Sequence, residues 1–277
     1  MWSRTREDRQ VIFEPGLIRR IESSSARVTM ATAAAFADRA AGAPARAVAF
    51  AGGTLAAFGP GRYVNRAVGV SLDDLDDDQL DELEAFFTAA GVPPSLEVAS
   101  WAPATLLARL ATLGYTISWF RNVYVATLDD RLPPHHPAMI VDEVTDDTLE
   151  EWLGVLRVGN ELTTPDEATI SDEWARASRA ITGTTDYLAH LDGVAAGCGS
   201  IIPESGLGWI GGATTVPAYR RRGVQGALIR RRMTAAYESG CDLAVVTAVP
   251  SGDSARNVAR LGFTLAYCPA VLTKMAR

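Results

Sequence analysis

The chain has 277 residues and a formal net charge of −7, with 48% hydrophobic and 21% charged residues. This composition is typical of a globular protein with room for two domains, and the acidic balance disfavours nucleic acid as the main partner. No apolar run approaches the roughly 20 residues of a spanning helix, no secretory leader is recognisable, and the three cysteines are scattered. We therefore expect a cytoplasmic protein without membrane, nucleic-acid or metal partners, and association into an oligomer stays open.

The first half of the chain has the periodicity of alternating helices and strands. Helices are predicted at 17–41, 77–90 and 103–113, and strands at 46–58, 66–70, 96–99 and 115–128. The proline-rich segment 129–137 breaks this pattern and is interpreted as a linker. We therefore place one domain at 1–130 and a second at 138–277.

The second half begins with a predicted helix at 145–158, followed by a segment, NELTTPDEATISDEW, that we expect to be irregular. A hairpin follows at 184–202, because two apolar runs flank Asp192-Gly193, a dipeptide that tight turns favour. The remaining predicted elements are strand 209–216, helix 224–237, strand 242–249, helix 253–261 and strands 263–267 and 270–275. Both halves are thus predicted to be α/β.

The ends of the two halves resemble each other. ARLATLGYTISWFRNVYVATL (108–128) aligns without a gap on RNVARLGFTLAYCPAVLTKMA (256–276), and the matches include Gly114 with Gly262. A helix–glycine–strand corner alone explains part of this likeness, but the longer run of matches favours a duplication.

One stretch of the second half, VPAYRRRGVQGALIRRRM (216–233), combines arginines with glycines where a strand meets a helix. The first amides of a helix have no internal partner and attract anions, and Gly223 lets a phosphate approach the main chain. Arg220–Arg222 add forked donors suited to phosphate. We therefore predict a pyrophosphate site at 220–226, whereas Arg230–Arg232 fit a solvated helix face. The counterpart in the first half, SLDDLDDDQ near 71–79, would repel phosphate.

These residues resemble the acetyl-CoA motif of the GCN5-related N-acetyltransferases (GNAT), Gln/Arg-x-x-Gly-x-Gly/Ala. The match is Arg220 to Gln225, with Gln225 in place of the second glycine, and the order of elements over 140–275 is also similar. The first half resembles a degenerate copy. The resemblance implies two GNAT-like α/β domains in tandem, each with a mixed central sheet flanked by helices.

The resemblance also implies that acetyl-CoA binds as co-substrate in the second half. Its pyrophosphate is expected on the loop and first helical turn, its pantetheine arm along the preceding strand, and further contacts from the short helix. The residues so implied are Arg221, Arg222, Gly223, Val224, Gln225 and Gly226; Ala213, Thr214, Thr215 and Val216; and Ser254 and Asn257.

The implied activity is N-acetyltransfer to an amine, by direct attack on the thioester polarised by a backbone amide near Val216. A small-molecule acceptor is favoured because the first half is placed to roof its groove. Glu161 is the first candidate for the base; the alternative for it, Asp166 and Glu167 is a role as helix cap or surface charge. The family's tyrosine acid is absent, since Val258 holds its position. A catalytically silent acyl-CoA-binding regulator is therefore the alternative function.

Overall fold

The computed structural model describes residues 15–39, 45–62, 64–129, 139–250 and 252–275. Its α-helices are α1 Pro15–Arg39, α2 Asp77–Ala89, α3 Ala104–Thr112, α4 Leu149–Gly159, α5 Pro165–Arg179, α6 Val224–Glu238 and α7 Asp253–Arg260. Its strands are β1 Arg46–Phe50, β2 Gly53–Ala57, β3 Arg66–Val68, β4 Ser95–Val98, β5 Tyr115–Phe120, β6 Asn122–Thr127, β7 Met139–Glu143, β8 Thr185–Leu191, β9 Val194–Glu204, β10 Leu207–Thr215, β11 Leu243–Ala248, β12 Thr264–Tyr267 and β13 Ala270–Lys274. Of the predicted linker 129–137, only Asp129 is among the described residues.

The strands form two mixed sheets, in the orders β1-β2-β3-β4-β13-β5 and β12-β6-β11-β10-β9-β8-β7. In the first sheet β3 runs parallel to β4, and in the second β10 runs parallel to β11, while the other described pairs are antiparallel. The predicted fold class, two α/β units in tandem with mixed central sheets flanked by helices, is confirmed.

The two sheets exchange one strand each. β6 lies between β11 and β12 in the second sheet, and β13, at the other end of the chain, lies between β4 and β5 in the first. The segments that align in the sequence repeat therefore occupy equivalent places, with β5 and β12 at the sheet edges and β6 and β13 one strand inward. Sheet membership does not follow the linear division into 1–130 and 138–277, which stays a prediction about domains.

The helices cover the second sheet on both faces. α6 buries Val224 and Leu228 against one face, where a Cβ on Gly197 would come within 2.6 Å of Val224. α4 buries Trp152 against the opposite face. α1 fills the seam between the halves, since its Ile21 packs with residues of β6, β10 and β11. The second sheet is therefore flanked in part by a helix of the first half.

The segment NELTTPDEATISDEW, predicted to be irregular, instead contains helix α5. Thr164 accepts a hydrogen bond from the backbone amide of Glu167, whose carboxylate accepts the amide of Thr164, and Pro165 occupies the first turn. This capping box and N-terminal proline are sequence signals of a helix start. The prediction was wrong because weak hydrophobic periodicity was given more weight than the cap.

No described helix is long and apolar enough to cross a membrane. The described residues also contain no group of three or more His, Cys, Asp or Glu placed to hold a metal ion.

Candidate active site

Strand β10 separates from its neighbour β11 partway along its length. The two strands pair only from Leu207 to Trp209, although β10 continues to Thr215. Beyond this point β10 keeps its antiparallel partner β9 on the other side, so its edge towards β11 is open. A gap is therefore present between β10 and β11 beyond Trp209.

The backbone amide of Thr215 points towards the open edge of β10. The amide of Val216 donates to the carbonyl oxygen of Ala196 at 3.0 Å and thus points towards β9. Because amides alternate in direction along a strand, that of Thr215 points the opposite way, on the side where Arg220 Nε donates to the Thr215 carbonyl at 3.3 Å. An amide in this place can polarise a carbonyl group that enters the gap.

A bulge interrupts β10 beside the gap, and a buried arginine holds it. The register between β9 and β10 shifts between Gly211 and Thr214, and Gly212 adopts a φ of 55°. Arg232 of α6 donates through Nη1 to the carbonyl oxygens of Gly211, at 2.9 Å, and Ser200, at 3.2 Å. One guanidinium group therefore ties the helix to both strands at the bulge.

The position of Arg232 contradicts the prediction that Arg230–Arg232 form a solvated face. Its side chain is fully buried, and burial lowers its pKa to about 10, so it stays charged at neutral pH. Gly199 makes room for it, because a Cβ there would come 2.6 Å from Nη1. Arg232 lies one turn after Leu228 on the buried face of α6, and this helical position, rather than the residue type, determines its burial.

The loop before α6 leaves its backbone amides unpaired. Arg221 and Gly223 both adopt left-handed conformations, with φ of 63° and 88°. Within the described residues, the amides of Arg221, Arg222 and Gly223 donate no hydrogen bond, and the next three belong to the first turn of α6, which lacks helical acceptors. The amides from Arg221 to Gly226 are therefore available to an anion at the positive end of the helix dipole.

The three arginines of this loop have different environments. Arg220 donates to the Glu161 carboxylate at 2.7 Å and so ties the loop to the end of α4. Arg222 forms an exposed ion pair with Asp192 at 2.9 Å. Arg221 is exposed and has no ion pair among the described residues. The positive charge nearest to the unpaired amides therefore comes from Arg221 and Arg222.

Gln225, which replaces a glycine of the family motif, turns its side chain towards α7. Its Nε2 donates to Ser254 Oγ at 3.4 Å, and its Oε1 accepts from Asn257 Nδ2. The side chain thus leaves the amide side of the loop clear. Gly226 borders open space, where an added Cβ would meet only the Arg230 guanidinium, at 3.2 Å. The predicted residues of α7 and of the loop are therefore brought together through Gln225.

Two of the three carboxylates considered as bases, Glu161 and Glu167, are held by other groups. Glu161 follows α4 with a φ of 55°, pairs with Arg220 and is not among the residues that line the cavity described below. Backbone amides of Thr163 and Thr164 hold the pKa of the Glu167 carboxyl below its usual value. Glu167 has the capping role that was its alternative, whereas a catalytic role for Glu161 stays a prediction.

Cys198 and Cys241 are buried. Burial raises the pKa of the Cys198 thiol to about 12 and also raises that of Cys241. A thiol in such surroundings is not a thiolate nucleophile near neutral pH.

A cavity of about 800 Å³ passes through the second sheet at the gap. On the α6 side its walls include Gln225, Ile229, Ser254 and Val258, and on the opposite side Trp152, Leu156, Ile170 and Trp174. At its far end the first half contributes to the wall, through α1 and the loop after β2. One continuous space therefore joins the vicinity of the amide loop to a chamber on the other face of the sheet.

The sequence pattern of the Acetyltransferase (GNAT) family matches residues 144–263, which contain the gap, the loop and α6. None of the curated proteins compared matches the chain.

Solved structures extend the likeness to both halves. A GCN5-related N-acetyltransferase from Kribbella flavida has a TM-score of 0.69 and 17% identity, covering 95% of this chain and 98% of its own. A functionally unknown conserved protein from Staphylococcus epidermidis has a TM-score of 0.57 and 15% identity, covering 77% and 86%. A tandem GNAT protein from the clavulanic acid biosynthesis pathway has a TM-score of 0.52 and 16% identity, covering 79% and 72%.

The fold is therefore that of two GNAT-like α/β domains in tandem. The match to the acetyltransferase family supports the predicted family for the second half. At identities this low, the structural likeness shows fold alone, and function has to be argued from the site.

Proposed function

We propose that this protein is a CoA-dependent N-acetyltransferase that moves the acetyl group of acetyl-CoA to an amine of a small-molecule acceptor. The proposal rests on one juxtaposition: the unpaired amides of 221–226 lie beside the open edge of β10 and the cavity that crosses the sheet. Amides at a helix start suit a diphosphate, an open strand edge suits an amide-containing arm, and a gap between strands admits a thioester.

In this proposal acetyl-CoA occupies the residues that the sequence singled out. The pyrophosphate binds the amides of Arg221, Arg222, Gly223, Val224, Gln225 and Gly226. The pantetheine amides pair with the open edge of β10 along Ala213, Thr214, Thr215 and Val216. Ser254 and Asn257 border the arm from α7, where their contacts with Gln225 fix the side of the channel.

The reaction is a direct attack. The acceptor nitrogen forms a bond to the thioester carbonyl carbon, the carbon–sulfur bond breaks, and CoA leaves as thiolate. The Thr215 amide stabilises the oxyanion that develops on the carbonyl oxygen. The nitrogen loses a proton to water, and Glu161 is the candidate to receive it from there; the Glu161→Gln variant tests that assignment.

We further propose that the first half is a degenerate copy without a CoA site, which roofs the acceptor chamber. Residues of α1, together with Gly61, Arg62 and Val64, line the end of the cavity opposite the amide loop. A chamber walled on one side by the first half suits a small molecule better than a protein tail. The protein is expected to act in the cytoplasm.

The proposal is tested by titrating acetyl-CoA into the full chain and following thermal unfolding. A ligand that binds only the folded state raises Tm with concentration. No rise in Tm at millimolar acetyl-CoA would end the proposal. A rise in Tm without CoA thiol release from any amine tried would instead favour the silent acyl-CoA-binding regulator.

A further inference from the structure

The acceptor chamber itself carries information on the acceptor. Building on the proposed function, we infer that the acceptor is a primary amine on an apolar body without a second positive charge. It would bind between α1, α4 and α5, with its nitrogen directed to the gap beside Thr215.

Most of the chamber wall is apolar. Its aliphatic and aromatic side chains include Val28, Trp152, Leu156, Ile170, Ile202 and Trp174. Neutral polar side chains also line it, among them Asn160, Ser171 and Ser178, and the hydroxyl of Thr32 donates to its own helix at 2.7 Å. A wall of this kind binds a ligand by removing apolar surface from water.

The charged side chains that line the cavity already have partners. Arg62 donates to Glu173 at 2.9 Å and lies over the Phe36 ring. Arg232 is held by backbone carbonyl groups, as described above. Glu167, the one carboxylate that the described residues contribute to the lining, is exposed and accepts the amides that cap α5. Within the described part of the chain, no lining carboxylate is therefore directed into the chamber to pair with an ammonium group.

This lack of an anionic partner has a consequence for the chemistry. An amine moved from water into an apolar chamber loses basicity, because burial disfavours its charged form. The neutral amine is the nucleophile, so the chamber favours the reactive form before attack. A second ammonium on the same molecule would be buried without a partner and would oppose binding.

The roof of the chamber is held firmly in place by contacts between the halves. Trp209 of β10 donates through its indole nitrogen to Ser24 of α1 at 2.8 Å. Phe36 of α1, Phe58 of the first half and Trp174 of α5 form a ring cluster with centroid separations of 5.1 to 6.3 Å. Contacts within the chain therefore hold the wall that the first half contributes to the chamber, and no bound ligand is needed to place it.

The acceptor class is tested by kcat/KM values from CoA thiol release. We expect 2-phenylethylamine and tryptamine to be preferred over spermidine by about 100-fold or more, because spermidine must bury unpaired charge. Turnover of spermidine equal to or better than that of the apolar amines would overturn the inference. The acetyl-CoA-dependent rise in Tm, measured in parallel, separates this failure from failure of the proposed function. A rise in Tm with turnover of other amines but not of apolar amines counts against the inference alone.

A new carboxylate in the chamber provides a second test. Ile170 lines the cavity and is 46% exposed, so Ile170→Asp adds a charge without disturbing a packed core. We expect kcat/KM for 2-phenylethylamine to fall about tenfold, spermidine to become relatively better, and the rise in Tm to persist. Ile140→Asp, on the exposed edge strand β7, is the matched control and should change none of these. An unchanged preference in Ile170→Asp would contradict the inference.

The pH dependence tests the source of the neutral amine. 2-Phenylethylamine and its β,β-difluoro analogue have similar shapes, but the analogue is a much weaker base. If the chamber selects the neutral amine, the pH midpoint of kcat/KM moves down with the analogue. A midpoint that stays fixed for both amines would show that a protein base titrates, and would overturn this part of the inference.

Discussion

The two halves of this protein each contain two parallel strands joined by a loop and a helix, yet the two helix starts differ. In the first half, the amide of Gln79 donates to the Asp76 carboxylate at 2.8 Å, and the Gln79 side chain accepts the Asp76 amide at 3.0 Å. In the second half Gly223 holds the cap position and has no side chain for this role. The identity of the cap residue therefore determines whether the first amides remain available to an anion.

The space between the two parallel strands also differs between the halves: it is closed in the first half and open in the second. In the first half the buried hydroxyl of Ser71 accepts the amide of Ala99 at 2.9 Å and bridges the ends of β3 and β4. Gly69 lies against α1, where a Cβ would be 2.9 Å from the carbonyl oxygen of Glu22. In the second half the equivalent place borders the cavity. The two halves have similar topology, but the strand ends are bridged in the first half and separated in the second. Local side chains cause this difference.

The aspartates of the first loop have structural partners. Arg19 of α1 donates to Asp73 at 2.9 and 3.1 Å, and this hydrogen bonding holds the pKa of the Asp73 carboxyl below its usual value. Thr105 of α3 donates to Asp74 at 2.6 Å. The aspartates that would repel a phosphate thus have a structural role, because they connect the loop before α2 to α1 and α3.

The largest expected effect comes from putting a carboxylate at the open helix start. Gly223→Glu should weaken acetyl-CoA binding by at least about 100-fold, because the side chain brings negative charge to the amides that are proposed to hold the pyrophosphate. The strain of a non-glycine residue at its φ of 88° adds about 1 kcal/mol of instability. Isothermal titration of acetyl-CoA measures the affinity, and the wild type should bind one equivalent per chain.

Gly91→Glu is the matched control for this variant. Gly91 also has a positive φ, 67°, and open space around it, but it follows α2 in the first half. It should lose similar stability and keep its affinity. Retained affinity in Gly223→Glu, or equal losses in both variants, would remove the pyrophosphate from this loop.

The helices α2 and α6 also differ in what they bury. α2 buries only the apolar residues Leu80, Leu83 and Phe87, whereas α6 also buries Arg232. Arg232→Met leaves the carbonyl groups at the β10 bulge without donors, so the unfolding free energy should fall by about 2 kcal/mol. We expect kcat for a turned-over amine to fall about tenfold with KM for acetyl-CoA nearly unchanged, since the bulge adjoins the gap. Urea unfolding and steady-state kinetics measure the two effects.

Arg231→Met supplies the comparison for Arg232. Arg231 forms a partly exposed ion pair with Glu143 at 3.0 Å, and such pairs contribute at most about 1 kcal/mol. If both variants lost the same stability and neither changed kcat, Arg232 would have no positioning role at the bulge.

The sequence predicted those parts of the molecule that depend on local chemistry. The turn at Asp192-Gly193, the helix start after Gly223 and the acidic counterpart loop all follow from local preferences. The exchange of β6 and β13 could not be predicted, because strand periodicity does not specify the partner strand. The burial of Arg232 was missed because charge was given more weight than its place one turn after Leu228. The position of Gln225 depends on α7, which is distant in sequence.

Helix α1, which packs against Gly69 in the first half, carries a pH-sensitive carboxyl group, that of Glu22. Burial and the charge of Glu97 raise the pKa of Glu22 to about 7, from 4.5, although Tyr267 donates a hydrogen bond to it. The folded state therefore holds this proton more tightly than the unfolded state, and the contribution to stability is lost as pH rises through about 7. The unfolding free energy should fall from pH 5 to pH 7, and Glu22→Gln should flatten this slope in urea unfolding.

Glu204→Gln is the control for the pH slope. Glu204 lies on β9 in the second half and pairs with Arg27 of α1, the helix that also carries Glu22. The pKa of Glu204 is lowered, so it titrates below this range. Its replacement should leave the slope between pH 5 and pH 7 intact. A slope that persists in Glu22→Gln would assign the titration to another group.

The smallest effect is expected at Gln225, the residue by which the open loop departs from the family motif. Its side chain bonds to Ser254 and Asn257 of α7 and does not extend over the loop amides. Gln225→Ala should therefore change acetyl-CoA affinity by no more than about threefold, because two neutral hydrogen bonds at a partly exposed site contribute little. An improvement of tenfold or more in the titration would mean that the glutamine crowds the pyrophosphate. In that case the loops of the two halves would differ only in how strongly they disfavour an anion, and the CoA site of the second half would itself be partly degenerate.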